Sequence, residues 1–291
     1  MLRELFALWR DRGTRLARRF GLDQEAVRIA ARHRRCRTAW ASHLAAVRAL
    51  VLASAATAPG RDTAVILGSG LCLDVPLAEL SACFRSVVLV DIHHPRPARR
   101  LARAFPNIRL VAADVTGMAQ AAERLARAKK PLPLPVPPPD PLPGVRPDFT
   151  ASLNLASQLP IPFYRTLGGR VDEAELAAFG RGLIEAHLAW LAGLPGRTCL
   201  VCDTLWQRLD SRGVLESEDA LEDVGLPEPD RVWTWSIAPR PEESLSYDRQ
   251  NQVWGYADFS ASWNGPDATV RRGPGRPGSC PSAIAADGNI P

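Results

Sequence analysis

Residues 63–70, Thr-Ala-Val-Ile-Leu-Gly-Ser-Gly, form a short β-rich apolar run that stops on a glycine-rich turn. Two later stretches repeat the pattern. Residues 86–90, Ser-Val-Val-Leu-Val, close on Asp91, and residues 108–113, Ile-Arg-Leu-Val-Ala-Ala, close on Asp114. Between them, residues 74–84 and 95–105 read as short helices. Continuous apolar runs belong to strands covered on both faces, and strands alternating with helices make a parallel sheet.

Toward the C-terminus, a helix is expected at 116–129. Nine of the seventeen residues 131–147 are proline, which excludes helix and inner strand and predicts an extended surface insert. Residues 149–155 read as a fourth strand, 171–194 as a long helix and 198–202 as a fifth strand. Residues 231–237 and 252–259 alternate aromatic and polar side chains, as an antiparallel pair at one sheet edge would. From 265 to 291 the chain is rich in Gly, Pro, Ser and Arg, a composition expected to be disordered. Toward the N-terminus, Leu2, Leu5, Phe6, Trp9, Leu16 and Phe20 keep near-helical spacing, and Gly21 ends that helix. Asp23 is placed to cap a second helix, which Trp40, Leu44, Val47 and Val51 extend to about residue 57 before Pro59-Gly60. The expected fold is an α/β three-layer sandwich with a seven-stranded, mostly parallel sheet containing one antiparallel strand. It divides into an N-terminal helical extension (1–60), a Rossmann-like domain (61–264, with the insert at 131–147) and a tail (265–291).

Composition sets limits. The AVILMFWYC set makes up 46% of the 291 residues and charged residues 23%, an ordinary globular balance that excludes wholesale disorder. The apolar-leaning stretch 44–58 contains Arg48 and falls short of a membrane span. The charged N-terminus does not read as a secretory signal. Six cysteines are too few for a disulfide scaffold, so free thiols and a cytoplasmic setting are expected. Of 36 basic residues 34 are arginine, and residues 1–50 hold twelve of these against four acids.

In open α/β sheets, ligands sit at the carboxyl ends of the strands where strand order reverses. Three strand ends carry residues suited to a nucleoside there. Gly68-Ser69-Gly70 allows close backbone approach. Asp91 can accept from ribose hydroxyls, and Asp114 from an exocyclic amine. Together, AVILGSG (64–70), VVLVD (87–91) and IRLVAAD (108–114) resemble the front half of class I S-adenosylmethionine-dependent methyltransferases, over about residues 60–260. The resemblance implies S-adenosylmethionine as cofactor. It places Gly68, Ser69 and Gly70 against the methionine part, Asp91 and Ile92 at the ribose, and Asp114 and Val115 at the adenine. The acid usual two residues before the first glycine is replaced by Ile66, with Asp74 as substitute, and Cys72 stands where a third glycine is common. Removing the insert sets Asn154 the same 23 residues after Asp114 that Asp114 lies after Asp91. In that family this position presents residues to the transferring methyl group, so the resemblance places residues 152–158 there.

Asn154, Ser157, Gln158 and Tyr164 are then expected to orient the acceptor, with His43 as base. Asp91 and Asp114 also suit helix caps, and His93 and His94 suit a solvent-facing loop. Cys199 and Cys202 lie three apart on a strand and should point to opposite faces, so no metal site is expected. The acceptor itself is unidentified, with a small molecule favoured over nucleic acid. Two alternatives stand: a catalytically silent methyltransferase-like binding module, and a nicotinamide-dependent dehydrogenase, against which Leu73 occupies a position needing a small residue. The basic N-terminal helices fit a membrane surface, a nucleic-acid contact or, the favoured reading, a cover over the cofactor cleft.

Overall fold

The computed structural model describes residues 13–137, 144–263 and 265. Four strands, β1 (Thr63–Leu67), β2 (Ser86–Asp91), β3 (Ile108–Ala112) and β4 (Phe149–Leu153), run parallel, and β4 pairs in parallel with the start of β5 (Arg197–Asp210). The sheet continues with β8 (Asp248–Tyr256), antiparallel to β5, and ends at β7 (Arg231–Ala238). Its order is β3-β2-β1-β4-β5-β8-β7, with β6 (Gly213–Asp219) pairing off this path onto β5. The count is thus eight, one more than expected, and β6 is antiparallel as well as β8. Strand order reverses between β1 and β4.

Both faces are covered, as apolar runs without alternation require. Ala64, Ile66, Val87, Leu89, Ala151 and Val201 face one side, where α3 (Arg37–Ala56) and α4 (Leu77–Cys83) pack. Val65, Leu67, Val88, Val90 and Leu200 face the other. There they meet α6 (Ala119–Arg127), α7 (Ile161–Leu167) and α8 (Glu173–Ala192). Each such Val or Leu contributes about 1.5–3 kcal/mol by leaving water. Cys199 joins the first cluster and Cys202 the second, so the Cys-x-x-Cys pair is split by the sheet. Neither forms a disulfide. A short α5 (Arg96–Ala102) follows β2, and α9 (Phe259–Ser262) follows β8.

The N-terminal helices differ from expectation. Residues 1–12 lie outside the described residues; α1 (Arg15–Arg19) is capped by Thr14, whose Oγ1 accepts from the Ala17 amide at 3.1 Å. Beyond Gly21, the single expected helix is two, α2 (Leu22–Arg35) and α3. They are parted at Cys36, where φ −100° and ψ 23° leave the helical basin. Asp23 is not the cap. It lies inside the first turn of α2, buried, and its carboxylate accepts from the Gln24 amide. Nor is α3 an appendage, because Trp40, Val47, Leu50, Val51 and Ala55 form part of the core on one face. The apolar stretch read at 44–58 belongs to this longer helix, Arg37–Ala56, which is long and apolar enough to cross a membrane. Here its apolar side packs on the sheet.

The Pro-rich residues 131–137 have no regular structure. They lie against α8, where the Leu132 amide donates to Glu175 and Pro135 packs beside Gly182. Residues 138–143 and 266–291 lie outside the described residues.

Candidate functional site

The reversal of strand order places the ends of β1, β2 and β4 side by side. After β1 the chain turns over the end of β2, with Gly68 N donating to Val90 O at 3.0 Å. Gly68 has φ +71°, and a Cβ there would stand 3.0 Å from Leu153 O, so only glycine lets the turn lie against β4. Gly70 has φ +45°, and a Cβ there would meet nothing nearer than Gly68 O at 3.9 Å. The backbone is therefore bare and approachable at Gly70.

Asp91 closes on this turn. Its Oδ2 accepts from Gly70 N at 2.8 Å and its Oδ1 from His93 N at 3.2 Å. Burial pushes its pKa up, opposed by these two bonds. A carboxylate has about four acceptor sites, so each oxygen keeps one for a further donor. Ile92, next in the loop, is half-buried.

Asp114 lies at the same end of the sheet, two residues beyond β3, but is more committed. Oδ1 accepts from the Thr116 amide (2.9 Å) and hydroxyl (2.6 Å), and Oδ2 from Ala119 N (2.9 Å). It caps the entry to α6, with Val115 buried beside it. Asp74 meets Asn154 across the site, the Asn154 Nδ2 donating at 3.3 Å. Burial raises the Asp74 pKa, against the pull of these bonds and of Arg48. Asn154 has φ +49°, its amide donates to Val201 O, and its buried Oδ1 has no partner. Ser69 and Ser157 are 1% exposed with unpartnered hydroxyls, while Gln158 is exposed.

Two expected residues are elsewhere. Tyr164 packs against Gly180 of α8 with its hydroxyl toward Glu222, in the helical layer and not at the strand ends. The reason is its place on α7, whose inner face lies on α8. His43 is 1% exposed. Its ring stacks on Trp235 at 4.0 Å, and its Nδ1 accepts from Trp233 Nε1 at 3.1 Å. Burial drives its pKa down to about 3. This imidazole is a packing group between α3 and β7, and His43 loses the role of base. His93 and His94 are buried, not solvent-facing, and His94 Nε2 donates to Val111 O.

The structure adds a pair that sequence reading passed over. Asp203, 3% exposed, lies on β5 just past the level where β4 ends. Its Oδ2 accepts from Asn251 Nδ2 at 3.0 Å and from Trp206 Nε1 at 3.5 Å. Burial pushes its pKa up to about 6. The signal was a carboxylate set in the apolar run Cys199-Leu200-Val201-Cys202-Asp203, since buried acids are rare without a reason. Among the described residues no group of His, Cys, Asp and Glu is arranged to hold a metal.

No protein-family model and no curated protein sequence matches the chain. Among solved structures, it is similar to a Burkholderia thailandensis 1,6-didemethyltoxoflavin N1-methyltransferase, at 16% identity and TM-score 0.37, over 80% of this chain and 87% of that one. It is also similar to the N-methyltransferase NodS of Bradyrhizobium japonicum, at 10% identity and TM-score 0.36, over 74% and 86%. A third is the magnesium protoporphyrin IX methyltransferase of Synechocystis, at 14% identity and TM-score 0.32, over 73% and 79%. At these scores the likeness carries no weight beside the strand order and the glycine turn.

Proposed function

We propose that the chain is an S-adenosylmethionine-dependent methyltransferase acting on an unidentified acceptor, a small molecule in preference to nucleic acid. The observation that carries this is the joining of the Gly68–Gly70 turn to the Asp91 carboxylate at the reversal point. The bare backbone at Gly70 faces open space, and the buried hydroxyl of Ser69 and amide oxygen of Asn154 lack partners. A sulfonium nucleoside fits this set: donors and acceptors for its methionine part near Ser69 and Asn154, and the free lone pairs of Asp91 for its ribose. The Asp114 carboxylate serves adenine less, being occupied by α6. The Val115 backbone remains beside it. The reversed strand β8 and Leu73 both speak against a nicotinamide dehydrogenase.

When bound, the cofactor supplies an electrophilic methyl group, and the carbon–sulfur bond breaks with its electron pair remaining on sulfur. The chain's part is to position the acceptor in line and to remove its proton where it has one to lose. With His43 and Tyr164 out of reach, Asn154, Ser157 and Gln158 are left of the orienting set. That loss favours the binding-module reading, unless another base is present.

Calorimetric titration with S-adenosylmethionine and its demethylated product tests the proposal. Binding is expected, and its absence at millimolar concentration overturns it. The N-terminal segment is proposed as cover for the cleft. Gly13 sits against His93, just past Asp91. Farther on, α2 runs from Glu25, beside Arg165 of α7, to Arg32 and Arg35, which pair with Glu243 and Glu242 beyond β7. Deleting residues 1–35 should abolish cofactor binding while α3 stays in place. Unchanged binding would remove the cover role.

A further inference from the structure

Past the ends of the parallel strands, β5 and β8 continue together as a ribbon, with β6 and β7 on its two sides. Register sets Trp235, Asn251, Trp206 and Glu218 in one row across β7, β8, β5 and β6. Directly paired residues share a face, so this row is one surface. A bulge between Asp203 and Leu205 brings the Asp203 carboxylate under it, where it meets both Asn251 and Trp206.

The row is unbalanced. Asp203 and Asn251 are 3% and 1% exposed, and the Oδ1 atom of each has no donor. Rotating the Asn251 amide sets oxygen against oxygen unless Asp203 carries a proton, and still leaves Asp203 Oδ1 alone. Buried acceptors without donors are costly, and in natural interiors protein, water or a bound group supplies the donor unless the atom has a catalytic part. The missing partner must be rich in donors. Glu218, half-buried and in the same row, also has its pKa raised, by burial first and then by Glu216, so an anion is disfavoured. The indole of Trp206 offers a face to a cation. Burial falls from Asn251 to Trp206 and Glu218, both half-buried, which leaves an approach from the β6 side.

Resting on the methyl-transfer reading, we infer that the acceptor is an amine, its nitrogen held by Asp203 and Asn251 beside Trp206 and Glu218. Asp203 Oδ1 takes the N–H proton that the nitrogen must lose. The freed lone pair then forms the bond to the methyl carbon, and the proton passes from Asp203 to solvent. The high proton affinity of this carboxylate suits it to that exchange.

The test uses the full chain and methylammonium chloride against sodium chloride at equal ionic strength. Tryptophan fluorescence is followed against pH, since Trp206 Nε1 reports on Asp203, and thermal stability is measured alongside. The charged groups on this face are Glu216 and Glu218 on β6, Arg208 on β5 and Arg249 on β8, while His43 of α3 is packed on Trp235 at the β7 end of the row and is neutral above about pH 3. Methylammonium, and not sodium, is expected to shift the transition near pH 6 downward and to raise the melting temperature. Asp203→Asn should lose the transition and both responses. Trp206→Phe should lose the optical signal while keeping part of the thermal response. Equal behaviour in the two salts, or a methylammonium response surviving in Asp203→Asn, overturns the inference. If S-adenosylmethionine binds while methylammonium does nothing, methyl transfer stands and the amine site falls. The reverse result keeps the amine site and removes its part in methyl transfer.

Discussion

The two ends of the sheet treat their acids differently. On the β1–β2–β3 side, Asp91 and Asp114 are satisfied by their own loops, through Gly70, His93, Thr116 and Ala119. They hold the turns in shape whether or not anything is bound. On the β5–β8 side, Asp203 and Asn251 sit deeper and each keeps an oxygen without a donor. The acids of the first region are engaged by its own loops, its open groups being the Ser69 hydroxyl and the Asn154 oxygen, whereas in the second region the acid itself is left short of a donor. Such a division suits a protein that receives one recurring ligand in a preformed cradle and a second, specific one in a pocket that costs stability to maintain.

The largest expected effect lies outside both regions. Trp40→Ala removes a core indole that donates to Ile237 O at 2.9 Å and meets Trp235 edge-on. It should cost about 3–5 kcal/mol in urea unfolding. A loss below about 1 kcal/mol would mean that α3 is not clamped to β7. Next comes Asp203→Asn, where the sign is unusual. The folded pKa, about 6, is above the ordinary 3.8, so the native state binds the proton more tightly than the unfolded chain and stability falls as pH rises from about 4 to 6. The substitution should therefore stabilise the protein at pH 7 by roughly 2–3 kcal/mol and flatten that slope. Destabilisation at pH 7 would show that Asp203 is a satisfied structural acid like Asp114.

Legibility from sequence divides along the same line. The parallel half announces itself, because β1, β2 and β3 are apolar runs closed by a glycine or an acid at the point where the backbone must turn. The Cys199–Cys202 spacing gave the correct split across the sheet for the same reason, alternation along a strand. The ribbon was hidden. Residues 205–219 are mostly half-buried or exposed, with Val214 and Leu215 facing solvent, so neither a period nor a continuous run marks them. Pairing of 205–209 with β8, some forty residues further on, and of 213–219 back onto β5 makes them strands. The break at Cys36 was equally invisible, since neither Gly nor Pro marks it and the apolar stripe continues through it. His43 read as a base because spacing cannot tell a ring at a cleft from a ring between two tryptophans.

Two smaller effects sharpen the contrast within the parallel half. Asp91→Ala should weaken S-adenosylmethionine binding by about 1.5–3 kcal/mol in calorimetry, the range for hydrogen bonds to a charged group. Asp114→Ala should cost about 0.5–2 kcal/mol of stability as a lost helix cap, read as an earlier thermal transition, with the smaller effect on cofactor binding. Equal losses of binding in the two would return Asp114 to the adenine.

The bond from Trp40 to Ile237 joins residues 197 positions apart, and that span has a consequence for synthesis. At elongation rates of about 5–20 residues per second, the head of α3 leaves the ribosome roughly 10–40 s before its partners on β7 exist. The tail of α3, Val47 to Ala55, finds β1 and β2 much sooner. During the interval Trp40 and His43 stand on a formed helix with no strand to cover them. A nascent chain of this design is a natural client for chaperones, and a product cut short before residue 231 keeps that uncovered surface for good.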